Sequence, residues 1–66
     1  MEILLNGECR EIDRGETVES LLLRLGVDPR RVAVERNLEL LPKTRYAHTH
    51  LVEGDRIEVV HFVGGG

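Results

Sequence analysis

Three consecutive glycines, Gly64, Gly65 and Gly66, follow Phe62 and Val63 at the end of the sequence, and the reactive group they present is the carboxylate of Gly66. Such a carboxylate ionises near about pH 3.5, so at neutral pH it is an anion able to attack a nucleotide phosphate, although a poor acyl donor until activated. Glycine costs more conformational entropy to order than any other residue, so residues 64–66 are expected to form a flexible tail. Without side chains, Gly64 and Gly65 can thread a passage too narrow for any Cβ. At about 3.3 Å per residue, the stretch from Val63 to Gly66 would reach roughly 13 Å past the last strand. That distance delivers the carboxylate into another protein's active site while the body of the domain docks outside. The partner must then supply ATP and the catalytic groups.

Other reactive side chains fall into weaker patterns. His48 and His50 flank Thr49, and His61 lies further on, but a zinc site needs three or four ligands and no second ligand pair accompanies them. They read as solvated loop histidines, and no metal site is expected. Cys9 is the single cysteine, on a weak strand, with no cationic residue or helix start placed to lower its pKa, so it reads as structural. Thr17 and Ser20 read as helix-capping and first-turn residues rather than nucleophiles.

The elements that must position the tail are short. Ile3 and Leu5 stand at strand spacing, and Asn6-Gly7 is a two-residue hairpin turn leading into a second strand, about Glu8 to Asp13, with Ile12 as its apolar anchor. That strand is expected at a sheet edge. Thr17 caps a helix carrying Leu21, Leu22 and Leu25, with Gly26 after its end. Pro29 fixes a turn, residues 31–36 read as a third strand, and Leu38, Leu40 and Leu41 as a short fourth. Residues 43–50 lack a clean period and predict a short helical turn or irregular crossover. Residues 56–63 alternate as the last strand, with Ile57 and Val59 on one side and Glu58, Val60 and Phe62 on the other.

A hairpin, one helix and further strands give an α+β domain, a β-grasp with a mixed sheet of four to five strands and one main helix on one face. Residues 1–63 make the domain and 64–66 the tail. The expected inward set is Ile3, Leu5, Ile12, Leu21, Leu22, Leu25, Ile57 and Val59, joined by Val32 or Val34. Val60, Phe62 and Val63 are then left as an exposed apolar group beside the reactive end, suited to docking a partner.

Composition narrows the function. A chain of 66 residues buries only about 60% of its unfolded surface, so one small core worth perhaps ~3–5 kcal/mol is all it can build, and an enclosed active-site cavity is not expected. The net charge is −3 and the aromatic fraction 3%, which leaves no basic stripe or stacking platform for nucleic acid. No apolar run approaches the roughly 20 residues that span a membrane, and MEILLNGE is not a secretory leader, so a cytoplasmic protein is expected. The lone cysteine fits a reducing compartment.

The segments ILLNGE, GETVESLL, RVAVE followed by Asn37 and LLP, and above all EGDRIEVVHFVGGG give the whole chain a form that resembles the ThiS family of sulfur carriers, and through fold and tail it is similar to MoaD and ubiquitin. The resemblance implies a carrier that is a substrate rather than an enzyme. A ThiF-like adenylyltransferase would activate Gly66 with ATP, and sulfur from a cysteine desulfurase or other persulfide donor would replace AMP. The resulting thiocarboxylate would serve a ThiG-like thiazole synthase in thiamine biosynthesis. No bound cofactor is implied beyond that covalent sulfur. The same terminus would suit a MoaD-like or tRNA-thiolation carrier, or a ubiquitin-like modifier. One departure is Asn37-Leu38 where relatives often have Asn-Gly, since leucine resists positive φ.

Overall fold

The computed structural model describes residues 1–62. The expectations placed on Val63, Gly64, Gly65 and Gly66, including the boundary between body and tail, lie outside the described residues. The described chain forms β1 (Glu2–Leu5), β2 (Glu8–Glu11), α1 (Val18–Arg24), a 3₁₀ turn (Pro29–Arg31), β3 (Val32–Arg36), β4 (Glu39–Leu41), a 3₁₀ segment (Lys43–His48) and β5 (Arg56–His61). The strands make one five-stranded sheet in the order β2-β1-β5-β3-β4. β1 and β5 run parallel, and the other neighbours are antiparallel. This is the expected β-grasp, with α1 as its one main helix.

Two tight turns set the hairpin registers. Asn6 and Gly7 have φ of 49° and 82°, the paired positive values of a type I′ turn, which aligns Leu5 with Glu8. Asn37 and Leu38 make the same turn between β3 and β4, with φ of 52° and 70°. Leu38 therefore holds a conformation that a leucine adopts only at a cost, and it lies in the turn before β4 rather than in the strand. Its side chain is 69% exposed and contributes little packing. Leu38→Gly is expected to raise the unfolding free energy by about 1 kcal/mol, the left-handed penalty less the extra freedom of glycine when unfolded. Urea unfolding measures this; equal or lower stability would contradict it.

The helix is delimited by local chemistry. Thr17 Oγ1 accepts from the Ser20 N–H at 3.0 Å, and Ser20 Oγ accepts from the Thr17 N–H at 2.8 Å, a reciprocal cap. At the other end Gly26, with φ of 76°, donates to Leu23 while Val27 donates to Leu22, which closes the last carbonyls in a Schellman arrangement. A short bridge, with Val18 donating to Thr49 and Leu51 donating to Glu16, fastens the helix entrance to the loop after the 3₁₀ segment.

The core comprises Ile3, Leu5, Ile12, Val18, Leu21, Leu22, Val32, Val34, Tyr46, Leu51 and Ile57. Both Val32 and Val34 join it, while Leu25 and Val59 are packed only at its margin. The additions are Val18, Tyr46 and Leu51. Tyr46 enters on the 3₁₀ segment, with its hydroxyl donating to the Val32 carbonyl at 3.1 Å. β2 is exposed along its whole length, as expected of an edge, but it stops at Glu11, and Ile12 is buried beyond it through a bond to the Met1 carbonyl. No helix among the described residues is long and apolar enough to cross a membrane.

Two acidic residues are buried. Asp55 Oδ2 accepts from Val52 N–H at 2.9 Å and from Arg36 Nε at 3.1 Å, and Oδ1 accepts from Asn37 Nδ2 at 3.0 Å. Glu16 Oε2 accepts from Ser20 Oγ at 2.7 Å, and Arg24 Nε lies 3.1 Å from Oε1, supplying charge without an aligned hydrogen bond.

Candidate functional site

β5 is the sheet's middle strand, and its last residues carry the chain to Phe62, the last described residue. Its neighbours on both sides fix it through backbone pairing with β1 and β3. Ile57 and Val59 turn toward the core, and alternation sends Glu58 and Val60 to the outer face. Val60 and Phe62 are each 58% exposed, in agreement with the outward placement read from the sequence.

Phe62 is the last described residue, and three elements converge on it. Its N–H donates to the Arg31 carbonyl at 3.1 Å, tying it to the entrance of β3. Lys43 Nζ lies 4.8 Å from the centroid of its ring and also donates to the Arg30 carbonyl at 2.6 Å. A cation over an aromatic ring at an exposed site contributes about 0.5–1 kcal/mol. Beside Phe62 runs a shallow apolar groove lined by Ala33, Leu40, Leu41, Pro42 and Tyr46. Leu40, 71% exposed, extends this apolar surface.

The sheet register places charge next to this apolar group. Ala33 lies opposite Val60, Glu35 opposite Glu58, and Leu40 on the other flank of Glu35. The sequence treats Glu35 and Glu58 as ordinary surface residues of two strands, and only the β3–β5 pairing brings them together. Glu58 has Arg56 Nε at 3.7 Å, a surface contact of little energetic weight. Lys43, the only lysine in the chain, stands in a segment without period, and no sequence pattern places it beside Phe62.

The remaining candidates are dispersed. His48 ends the 3₁₀ segment, His50 sits opposite Thr17, and His61 pairs with Val32 on β5, all exposed. Among the described residues, no three His, Cys, Asp or Glu side chains are grouped to hold a metal ion. Cys9 is a free thiol on the exposed edge strand. Thr17 and Ser20 spend their hydroxyls on the helix cap.

Comparison with known proteins bears on what this surface serves. A sequence model described as the ThiS family matches residues 3–66. Over its whole length the chain is 53% identical to a segment of a thiazole synthase from Paramagnetospirillum magneticum, covering 20% of that protein. It is 46% identical over 50 residues to the sulfur carrier protein ThiS of Bacillus subtilis, covering 76% of each chain. The chain thus spans about a fifth of the length of the thiazole synthases it matches. Among solved structures, that of a thiamine biosynthesis protein (ThiS) from Geobacter metallireducens superimposes with a TM-score of 0.83 at 35% identity, with both chains fully covered. The sequence match through the glycines and the superposition of the whole β-grasp agree, and the chain belongs to the ThiS family.

Proposed function

We propose that the chain is a sulfur carrier for thiamine biosynthesis, a substrate of partner enzymes that holds sulfur as a thiocarboxylate on Gly66. The observation that carries this reading is the extent of the family match, which runs through residue 66 and so includes the diglycine that a threaded, activated terminus requires. The body fits the role: β5 delivers the chain to that terminus from the middle of the sheet, beside the exposed apolar Val60 and Phe62.

In the proposed cycle a ThiF-like adenylyltransferase binds ATP, and the Gly66 carboxylate attacks the α-phosphorus while pyrophosphate leaves. A persulfide from a cysteine desulfurase or similar donor then attacks the acyl carbon and AMP departs. A second thiol cleaves the sulfur–sulfur bond, which leaves the thiocarboxylate on Gly66 and a disulfide on the donor side. The activating groups and ATP belong to the partner, and the carrier's own contribution is placement, with Gly64 and Gly65 filling the narrow passage.

A ThiG-like thiazole synthase is the proposed acceptor. Two thiazole synthases contain a segment similar to this entire chain, and joining two functions in one polypeptide raises their mutual concentration to about the millimolar range. Such an arrangement is advantageous where a carrier hands its cargo to that synthase.

Intact mass spectrometry after incubation with ATP, the adenylyltransferase and a persulfide donor is expected to show one oxygen exchanged for one sulfur. Fragmentation is expected to place that sulfur on Gly66. Unchanged mass, or an isopeptide to lysine as the principal product, would overturn the assignment.

A further inference from the structure

Resting on the carrier reading above, we propose that Lys43 is an internal acceptor for the activated terminus, able to form an isopeptide between its Nζ and the Gly66 carbonyl, and that its contacts at Phe62 and Arg30 hold this self-acylation back. Of the nine basic side chains, Lys43 alone is a lysine and the other eight are arginines. A guanidinium stays protonated and offers no lone pair to an acyl carbon, whereas a lysine amine does so once it loses its proton. Arg30 and Arg31, which meet Lys43 and Phe62 through their carbonyls, are therefore inert toward an activated acyl group, and Lys43 is not.

Position singles out the same residue. Lys43 Nζ lies 4.8 Å from the centroid of the Phe62 ring. Residues 63–66 span at most about 13 Å, and consecutive glycines tolerate the tight reversal that returns Gly66 to this amine. The other strong nucleophiles are out of reach. Cys9 pairs with Leu4, which is level with Arg56, so Phe62 stands about 20 Å further along the sheet. The Met1 amine donates to the Ile12 carbonyl at the far end of β1, about 30 Å from Phe62.

The Lys43 amine is also occupied. It donates to the Arg30 carbonyl at 2.6 Å while lying over the Phe62 ring, so attack requires it to give up a proton and leave both contacts. In the step itself the free amine attacks the Gly66 carbonyl carbon and a carbon–nitrogen bond forms. The bond from that carbon to the AMP oxygen breaks, and AMP and one proton leave. The product is a ring closed from residue 43 to residue 66, lighter than the free chain by one water. Persulfide attack on the same carbon leads to the thiocarboxylate instead, and delaying the amine favours that outcome.

The test uses the chain prepared with a thioester at Gly66, which needs no partner enzyme, at about pH 9, where a small share of lysine amines is unprotonated. Intact mass and fragmentation are expected to find the ring between Lys43 and Gly66, formed at a rate independent of protein concentration. Lys43→Arg is expected to give hydrolysis alone. Phe62→Leu, which takes the aromatic face from beside the amine, is expected to close about threefold faster than the wild type. No ring in the wild type, acylation of Cys9 or Met1 in its place, or linkage only between separate chains would overturn the proposal. An equal or slower rate in Phe62→Leu would overturn the restraint. A wild type that closes from the thioester but is never adenylated by ATP and a ThiF-like enzyme brings down the carrier reading alone, whereas normal adenylation without ring closure brings down this inference alone.

Discussion

Asp55→Ala is expected to lower the unfolding free energy by about 2–4 kcal/mol, most of what a core of this size supplies. Asp55 is 3% exposed and gathers donors from three places: the loop residue Val52, the end of β3 at Arg36 and the turn residue Asn37. Asn37 in turn accepts from the Arg56 N–H at 2.9 Å, so a single carboxylate holds the β3–β4 turn against the start of β5. Removing it strands the guanidinium of Arg36, the amide of Asn37 and the Val52 N–H. The Arg36 side chain is 31% exposed, and water recovers part of that loss, which keeps the figure below that for a fully buried pair. Asp55→Asn preserves shape and is expected to cost about half as much.

The same residue predicts the response to acid. Burial by itself would raise the Asp55 pKa, but the donors from Val52, Asn37 and Arg36 outweigh it and hold the carboxyl below its ordinary value of 3.8. A depressed native pKa means that the unfolded chain binds the proton more readily. The stabilisation is therefore complete above the unfolded value and fades as pH drops through the native one. The wild type is expected to lose stability below about pH 4, and Asp55→Asn to show a shallower acid dependence. Urea unfolding across pH measures both; parallel profiles would refute the assignment.

Gly65→Ala is expected to have the largest effect on function, with adenylation of Gly66 falling about a hundredfold in kcat/KM and the melting temperature unchanged. In the proposed cycle the added methyl would have to enter the passage that leads to the partner's nucleotide, where displacement of the carboxylate by about 1 Å is enough for such a loss. Binding of the body is expected to stay close to wild type, because the sheet face is untouched. Wild-type adenylation kinetics would show that the passage tolerates side chains and that the glycines serve another purpose.

Much of this was legible in the residues. Asn6-Gly7, Thr17 and Gly26 announce their turn, cap and helix end through chemistry that acts within a few positions, and the alternation around Ile57 and Val59 identifies the last strand. Tyr46 and Leu51 were not legible as core, because each is an isolated apolar residue in a segment without period, and the 3₁₀ geometry that turns Tyr46 inward has no strong pattern of its own. Asp55 reads as a turn residue in Glu53-Gly54-Asp55, and its burial depends on Arg36 and Asn37 arriving from the far hairpin. Leu38 shows register overriding local preference: β3 and β4 align only if the turn has two residues, and leucine takes the left-handed position. The Glu35–Glu58 pair required knowing that β3 lies beside β5.

The placement of β5 between β1 and β3 also bears on mechanics. A pull on the chain beyond Phe62 runs along this strand and loads the backbone ladders on both of its sides at once, in shear rather than one bond after another. The parallel partner β1 anchors one side and the antiparallel β3 the other, so traction spreads into both hairpins. A domain pulled from the end of β5 can thus be held taut without being unravelled.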